Sequence, residues 1–173
     1  MPSETNEGLE FIVRAALIGI GATAVMDLWA IFLKRAFGVL SLDYRLLGRW
    51  LGHLPSGQLV HESIAKARPV AGERILGWGA HYLIGVTFST LLLTAWGLEW
   101  ARSPTLLPAL FIGIITIVAP FFILQPGMGA GVAASKTPKP NVARLKSLGA
   151  HSAFGFGLYV AASLTASILH GLL

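Results

Sequence analysis

With 54% of its 173 residues hydrophobic and only 12% charged, this chain lies far from a soluble domain, where about a quarter of residues are charged. Its length gives one domain, residues 1–173, and the absence of cysteine excludes disulfides, thiolate metal sites and thiol catalysis. The net charge of +5 does not indicate nucleic acid, because the cations flank apolar runs instead of covering a soluble face.

Four apolar stretches, Phe11–Leu33, Leu76–Trp96, Thr105–Leu124 and Leu148–Leu172, organise the chain. Each is long enough to cross a hydrocarbon core, which takes about 20 helical residues. The predicted fold is therefore all-α, an integral membrane bundle of four transmembrane helices. The flank of the first stretch is acidic (Glu4, Glu7, Glu10), where a cleavable signal needs a basic one, so that stretch is read as a retained span.

All but Arg14 and Arg102 of the 13 Lys and Arg residues fall in two gaps, about 34–75 and 125–147. Basic residues concentrate on the cytoplasmic side. Both gaps are therefore predicted to be cytoplasmic loops and both termini to face outward, as in a multi-pass membrane protein. The expected partners are anionic lipids of the inner leaflet and further copies of the chain, since four short helices enclose little volume.

The first inner loop carries Tyr44, Leu47, Trp50, Leu51 and Leu54 at helical spacing, with Arg45 and Arg49 on the other flank. This predicts an interfacial amphipathic helix, started by Ser41 or Asp43 and ended by Pro55-Ser56-Gly57. A second short helix is predicted over Gln58–Arg68, with Glu62 and Lys66 as an i,i+4 pair. The outward connection Gly97–Pro104 reads as a tight loop between two interface anchors, Trp96 and Trp100.

Apolar character in the third stretch continues to Ala134, and an unbroken helix from Leu106 would be about 43 Å long. Pro120 and Pro126 are the predicted kink or stop points, followed by a flexible segment, Gly127–Gly131. The run Ala130–Thr137 is no phosphate loop, because Ala130 and Ser135 occupy both required glycine positions.

Polar groups deep in a span cost about 2.5–3.5 kcal/mol when charged, so each asks for a reason. Asp27, His81, Gln125 and His151 come one from each span, all toward the inner end. Arg14 and His170 lie near their own span ends and are expected to snorkel. The shared depth predicts a cytoplasm-facing polar chamber that binds a proton or cation, with Asp27 as the carboxylate and Gln125 as a neutral donor and acceptor. His53, His61, Glu62 and Glu73 would serve as a lid from the loop.

Imidazole beside carboxylate suits proton relay, since the one titrates near neutrality and desolvation pushes the other toward it. The same groups suit a divalent metal ion, with Asp27, His81 and His151 as ligands and Glu62 or Glu73 as acid/base. Two further alternatives are a partner-binding assembly protein and simple interhelical glue, worth about 0.6 kcal/mol per contact. His53 and His61 read more readily as solvated loop residues, and Glu73 as an interface anchor with Arg74. Small-residue stripes (Gly77/Gly85, Ala15/Gly19/Ala22, Ala153/Gly157/Ala161) read as packing faces.

Several runs together carry a family resemblance. They are Gly21–Trp29 (GATAVMDLW), Gly48–Leu54 (GRWLGHL), His61–Ala65 (HESIA), Pro69–Arg74 (PVAGER), Gly77–Tyr82 (GWGAHY), Ala119–Gly131 (APFFILQPGMGAG) and Ala134–Pro140 (ASKTPKP). With them the chain, from about Gly19 to Tyr159, resembles the DUF2938 family of bacterial membrane proteins, a domain of unknown function. The resemblance implies a small polytopic inner-membrane protein and brings no activity or site residue with it.

Overall fold

The computed structural model describes the backbone of residues 4–170 and the side chains of residues 6–169. The end of the fourth predicted span, from Gly171, and the side chain of His170 lie outside the described residues. The elements are α1 (Glu4–Phe37), α2 (Tyr44–His53), α3 (Glu73–Arg102), α4 (Leu106–Ile115), α5 (Gln125–Gly127) and α6 (Pro140–His170), with no strand among the described residues. Four helical segments are long and apolar enough to cross a membrane: Asn6–Phe37, Glu73–Arg102, Leu106–Gly127 and Pro140–Leu169.

These helices overrun the apolar stretches, because hydropathy marks only their centres and helical hydrogen bonding continues into polar flanks. α6 starts eight residues before Leu148, at Pro140, a residue suited to a first helical position because it has no N–H to satisfy. The second connection is thus confined to about 128–139. The third segment breaks where its prolines require it. α4 ends at Ile115, Pro120 opens a π-helical turn (Pro120–Leu124), and the Gln125 N–H bonds the Pro120 carbonyl five residues back. Pro126 then sits inside the single turn of α5, so it continues the helix for one turn rather than stopping it.

Three expectations at the end of the bundle farthest from α2 are corrected. The Gly97–Pro104 loop is shorter, because α3 resumes after a break at Gly97 (φ 76°, ψ 172°) and runs to Arg102. Trp100 is buried and donates from Nε1 to the Thr105 carbonyl at 3.2 Å, which makes it a core residue instead of an interface anchor. Arg14 does not snorkel. It is only 4% exposed, bonds Glu10 at 2.7 Å and donates to the Ala101 carbonyl at 2.9 Å, while Arg102 grips the same Glu10 at 2.6 Å. A buried guanidinium needs its donors satisfied, and the α3–α4 corner supplies an acceptor.

α1 packs against both α3 and α6, and α4 against α6. Small residues set the approach. A Cβ on Gly19 would meet the backbone of Val86, one on Gly157 that of Ala22, and one on Gly113 that of Gly155. Ile18, Ala22, Leu92, Leu93, Phe154 and Leu158 fill the core between these crossings.

α2 begins where expected, with Asp43 accepting from the Arg45 N–H at 3.0 Å. Its apolar face is largely spent on protein. Leu47 joins Ile64 and Met128 in a second cluster, with Tyr44, Trp50 and Leu51 partly buried around them. α2 crosses the start of α3 at backbone distance, since a side chain on Gly48 would strike the Glu73 carbonyl and one on Gly77 the Tyr44 carbonyl.

The Gln58–Arg68 helix does not form beyond a 3-10 turn at Ile64–Lys66. The N–H groups of His61 and Ile64 go to the Gly127 and Met128 carbonyls instead (2.9 and 3.0 Å), pinning this stretch to α5 in extended form. No ion pair joins Glu62 to Lys66 among the described residues. Glu73 pairs with Arg49 from α2 (2.8 and 2.9 Å), not with its neighbour Arg74.

Candidate functional site

Gly19, Thr23 and Asp27 of α1 face His81, Gly85 and Val86 of α3. Glycine at position 85, in contact with Thr23, lets the two helices close up, and one turn nearer α2 that closeness brings Asp27 and His81 together. The His81 Nε2–H donates to Asp27 Oδ1 at 3.0 Å, and the Tyr82 hydroxyl donates to Oδ2 at 3.0 Å. Both carboxylate oxygens thus have a donor from α3. Side-chain exposure is 16% for Asp27 and 10% for His81, so the pair is shielded but not sealed.

The tight crossing of α2 over α3 lays Tyr44 on this pair. Its ring stacks on His81 with centroids 3.9 Å apart and meets Trp78 edge-on at 4.8 Å. Burial, and then the nearby Asp27 carboxylate, push the Tyr44 phenol well above its ordinary 10.0, so it remains a neutral cap at any physiological pH. The arrangement is a carboxylate held by an imidazole and a phenol, roofed by aromatic rings. Chemically it can hold a proton or a small cation at Asp27 and pass a proton between oxygen and nitrogen atoms at hydrogen-bond distance.

His151 and Gln125 bond elsewhere. The His151 Nδ1–H is shared between the Gly113 carbonyl (3.2 Å) and the Thr116 hydroxyl oxygen (3.1 Å), and the Thr116 hydroxyl donates to the same carbonyl at 2.8 Å. Gln125 reaches Ser147 from Nε2 at 3.3 Å, while its Oε1 is buried without a partner. The antiparallel crossings of α1 with α3 and α6 and of α4 with α6 keep Asp27, His81 and His151 within a turn or so of one depth. The side chains nevertheless divide between two seams, and no group of three His, Asp or Glu residues that could hold a metal ion occurs among the described residues.

Of the loop residues, His61 is 5% exposed, its Nδ1–H pointing to the Gly127 carbonyl at 3.3 Å and its Nε2 buried without a partner. His53 lies edge-on to it at 5.0 Å and bonds Gln58 and the Arg68 carbonyl (3.0 and 2.9 Å). Glu62 is exposed, and Glu73 is taken up by Arg49. None of the four makes a hydrogen bond or ion pair to Asp27 or His81. His53, His61 and Glu73 brace the loop.

Sequence reasoning missed Tyr44, Trp78 and Tyr82. The available signal was spacing: Gly48 lies four residues after Tyr44 and Gly77 four before His81. Two helices crossing at those glycines must bring Tyr44 onto His81.

The profile of the family described as "Protein of unknown function (DUF2938)" matches residues 16–165. The chain belongs to this family. The matched region takes in every residue of the Asp27 site and both loops. Searches of curated proteins and of solved structures return no match.

Proposed function

We propose that this DUF2938 protein is a small permeation-type membrane protein that binds a proton or cation at Asp27. The observation that carries the reading is the Asp27 carboxylate inside a membrane-length helix, held by His81 and Tyr82 and capped by Tyr44. An ionisable group at such depth is expensive unless it is used or paired. Here the partners include a second titratable ring, which simple helix glue does not need.

Asp27 is the exchanging carboxylate, His81 its titrating partner, and Tyr82 the donor that keeps the second oxygen in place. The Gly127–Gly131 segment, on which the first loop docks, is the gate. The cation-rich loops lie on the cytoplasmic side of the inner membrane and the termini outside, as the distribution of Lys and Arg favours. A homo-oligomer completes the path, with the apolar groove between α1 and α6, at Leu17, Gly21, Ala161 and Leu164, as the contact.

The test is proton flux into vesicles loaded with a pH-sensitive dye. The wild type should dissipate an imposed gradient, and D27N should abolish that flux while keeping its helical circular dichroism. Equal flux from D27N and wild type removes this reading.

A further inference from the structure

We infer that the junction of α1, the 38–43 connection and the first turns of α6 forms a binding shelf for anionic phospholipid headgroups. The inference concerns a surface away from Asp27 and stands or falls separately from the function proposed for that site. Lys139, Val142, Ala143 and Lys146 lie on one face of the α6 start, and with Thr137 and Pro138 they line a concavity of about 330 Å³. Two ammonium groups thus stand beside an apolar floor.

Across from them the segment after α1 is tied down. Lys146 Nζ donates to the Leu40 carbonyl at 3.3 Å, which fixes the connection just after α1, whose last turn carries Lys34, Arg35 and Phe37. Phe37, Leu40 and Leu145 are among the most exposed large apolar residues, at 68%, 66% and 68%. Lys34, Arg35, Lys139 and Lys146 are exposed, and none has an acidic partner among the described residues.

The contrast with the opposite end of the bundle is informative. There Arg14 and Arg102 share Glu10, and Arg102 also pairs with Glu99, so two carboxylates match two cations. Bare Phe and Leu are costly against water, and together with an uncompensated cationic rim they are complementary to a phosphodiester carrying acyl chains. An anionic soluble partner would satisfy the charge but would leave the apolar residues without a reason. We therefore assign the shelf to lipid.

The protein, solubilised from mixed phosphatidylglycerol–phosphatidylcholine bilayers by a nanodisc-forming polymer, should retain phosphatidylglycerol about threefold above its bulk fraction, read by lipid mass spectrometry. In K139Q/K146Q the enrichment should fall toward parity. In R45Q, which removes a cation already paired with Asp43, it should persist. Should the double variant fail to fold, washing the wild type in 1 M salt provides the second readout, and the enrichment should likewise fall. No enrichment in the wild type, full retention in K139Q/K146Q, or insensitivity to salt in the wild type would each overturn the assignment.

Discussion

Two buried histidines of this protein lie at similar depth and meet opposite company. At the α1–α3 seam, His81 faces a carboxylate and lies beneath a tyrosine. At the α4–α6 seam, His151 faces a threonine hydroxyl and a backbone carbonyl. The burial is nearly equal, 8% and 9%, so burial does not distinguish them. The partner does. A ring beside Asp27 can give up or take a proton with its charge compensated, whereas a ring beside Thr116 has no counter-charge and serves to hold two helices in register.

The α4–α6 seam should break under steric load. A Cβ on Gly113 would sit 2.5 Å from the Gly155 Cα and 2.7 Å from the His151 carbonyl, both on backbone that cannot move aside. G113V should lose about 3 kcal/mol, the upper range for overpacking of a closed contact, or fail to assemble. Thermal unfolding in detergent reads it. A normally stable G113V would mean the helices are farther apart than described.

The two histidines should then separate in kind. H81Q should slow proton flux at least about a hundredfold, the usual lower range for loss of a positioned acid–base group, with a small change in stability. H151Q should cost about 1 kcal/mol of stability, the value of one buried hydrogen bond, and leave flux within about twofold of wild type. The reverse pattern would relocate the functional seam to α4–α6.

The smallest effect sharpens the role of the cap. Because folding raises the Tyr44 phenol above its ordinary 10.0, the stability it contributes is complete below that pH and is lost as the pH rises beyond it. Ultraviolet titration should show wild type and Y44F alike near pH 10 and diverging only at higher pH, where the wild type unfolds. Ionisation of Tyr44 near pH 10 would place it outside the Asp27 site.

Much of this architecture was legible in the residues. Four apolar runs announced four long helices, and Asp43 with the spacing of Leu47, Trp50 and Leu51 announced α2. Residue-level pairing was less accessible. Asp27 and His81 stood out because a polar group in an apolar run demands a partner, but hydropathy carries no azimuth, so it could not separate His81 from His151. The Glu62–Lys66 helix was overruled by Gly127 and Met128, whose carbonyls capture the backbone from more than 60 residues away. Arg14 looked like a snorkelling residue because the acceptor that draws it inward, the Ala101 carbonyl, exists only once α1 and α3 have packed.

The central claim is that Asp27 carries an exchangeable proton next to His81. Infrared difference spectroscopy of the reconstituted protein, stepped from neutral to acid pH, reads it most directly. The account predicts a protonated-carboxyl C=O band that vanishes in D27N and shifts in H81Q but not in H151Q. A spectrum unchanged by D27N would show that this carboxylate only bridges two helices, and the functional reading would fall with it.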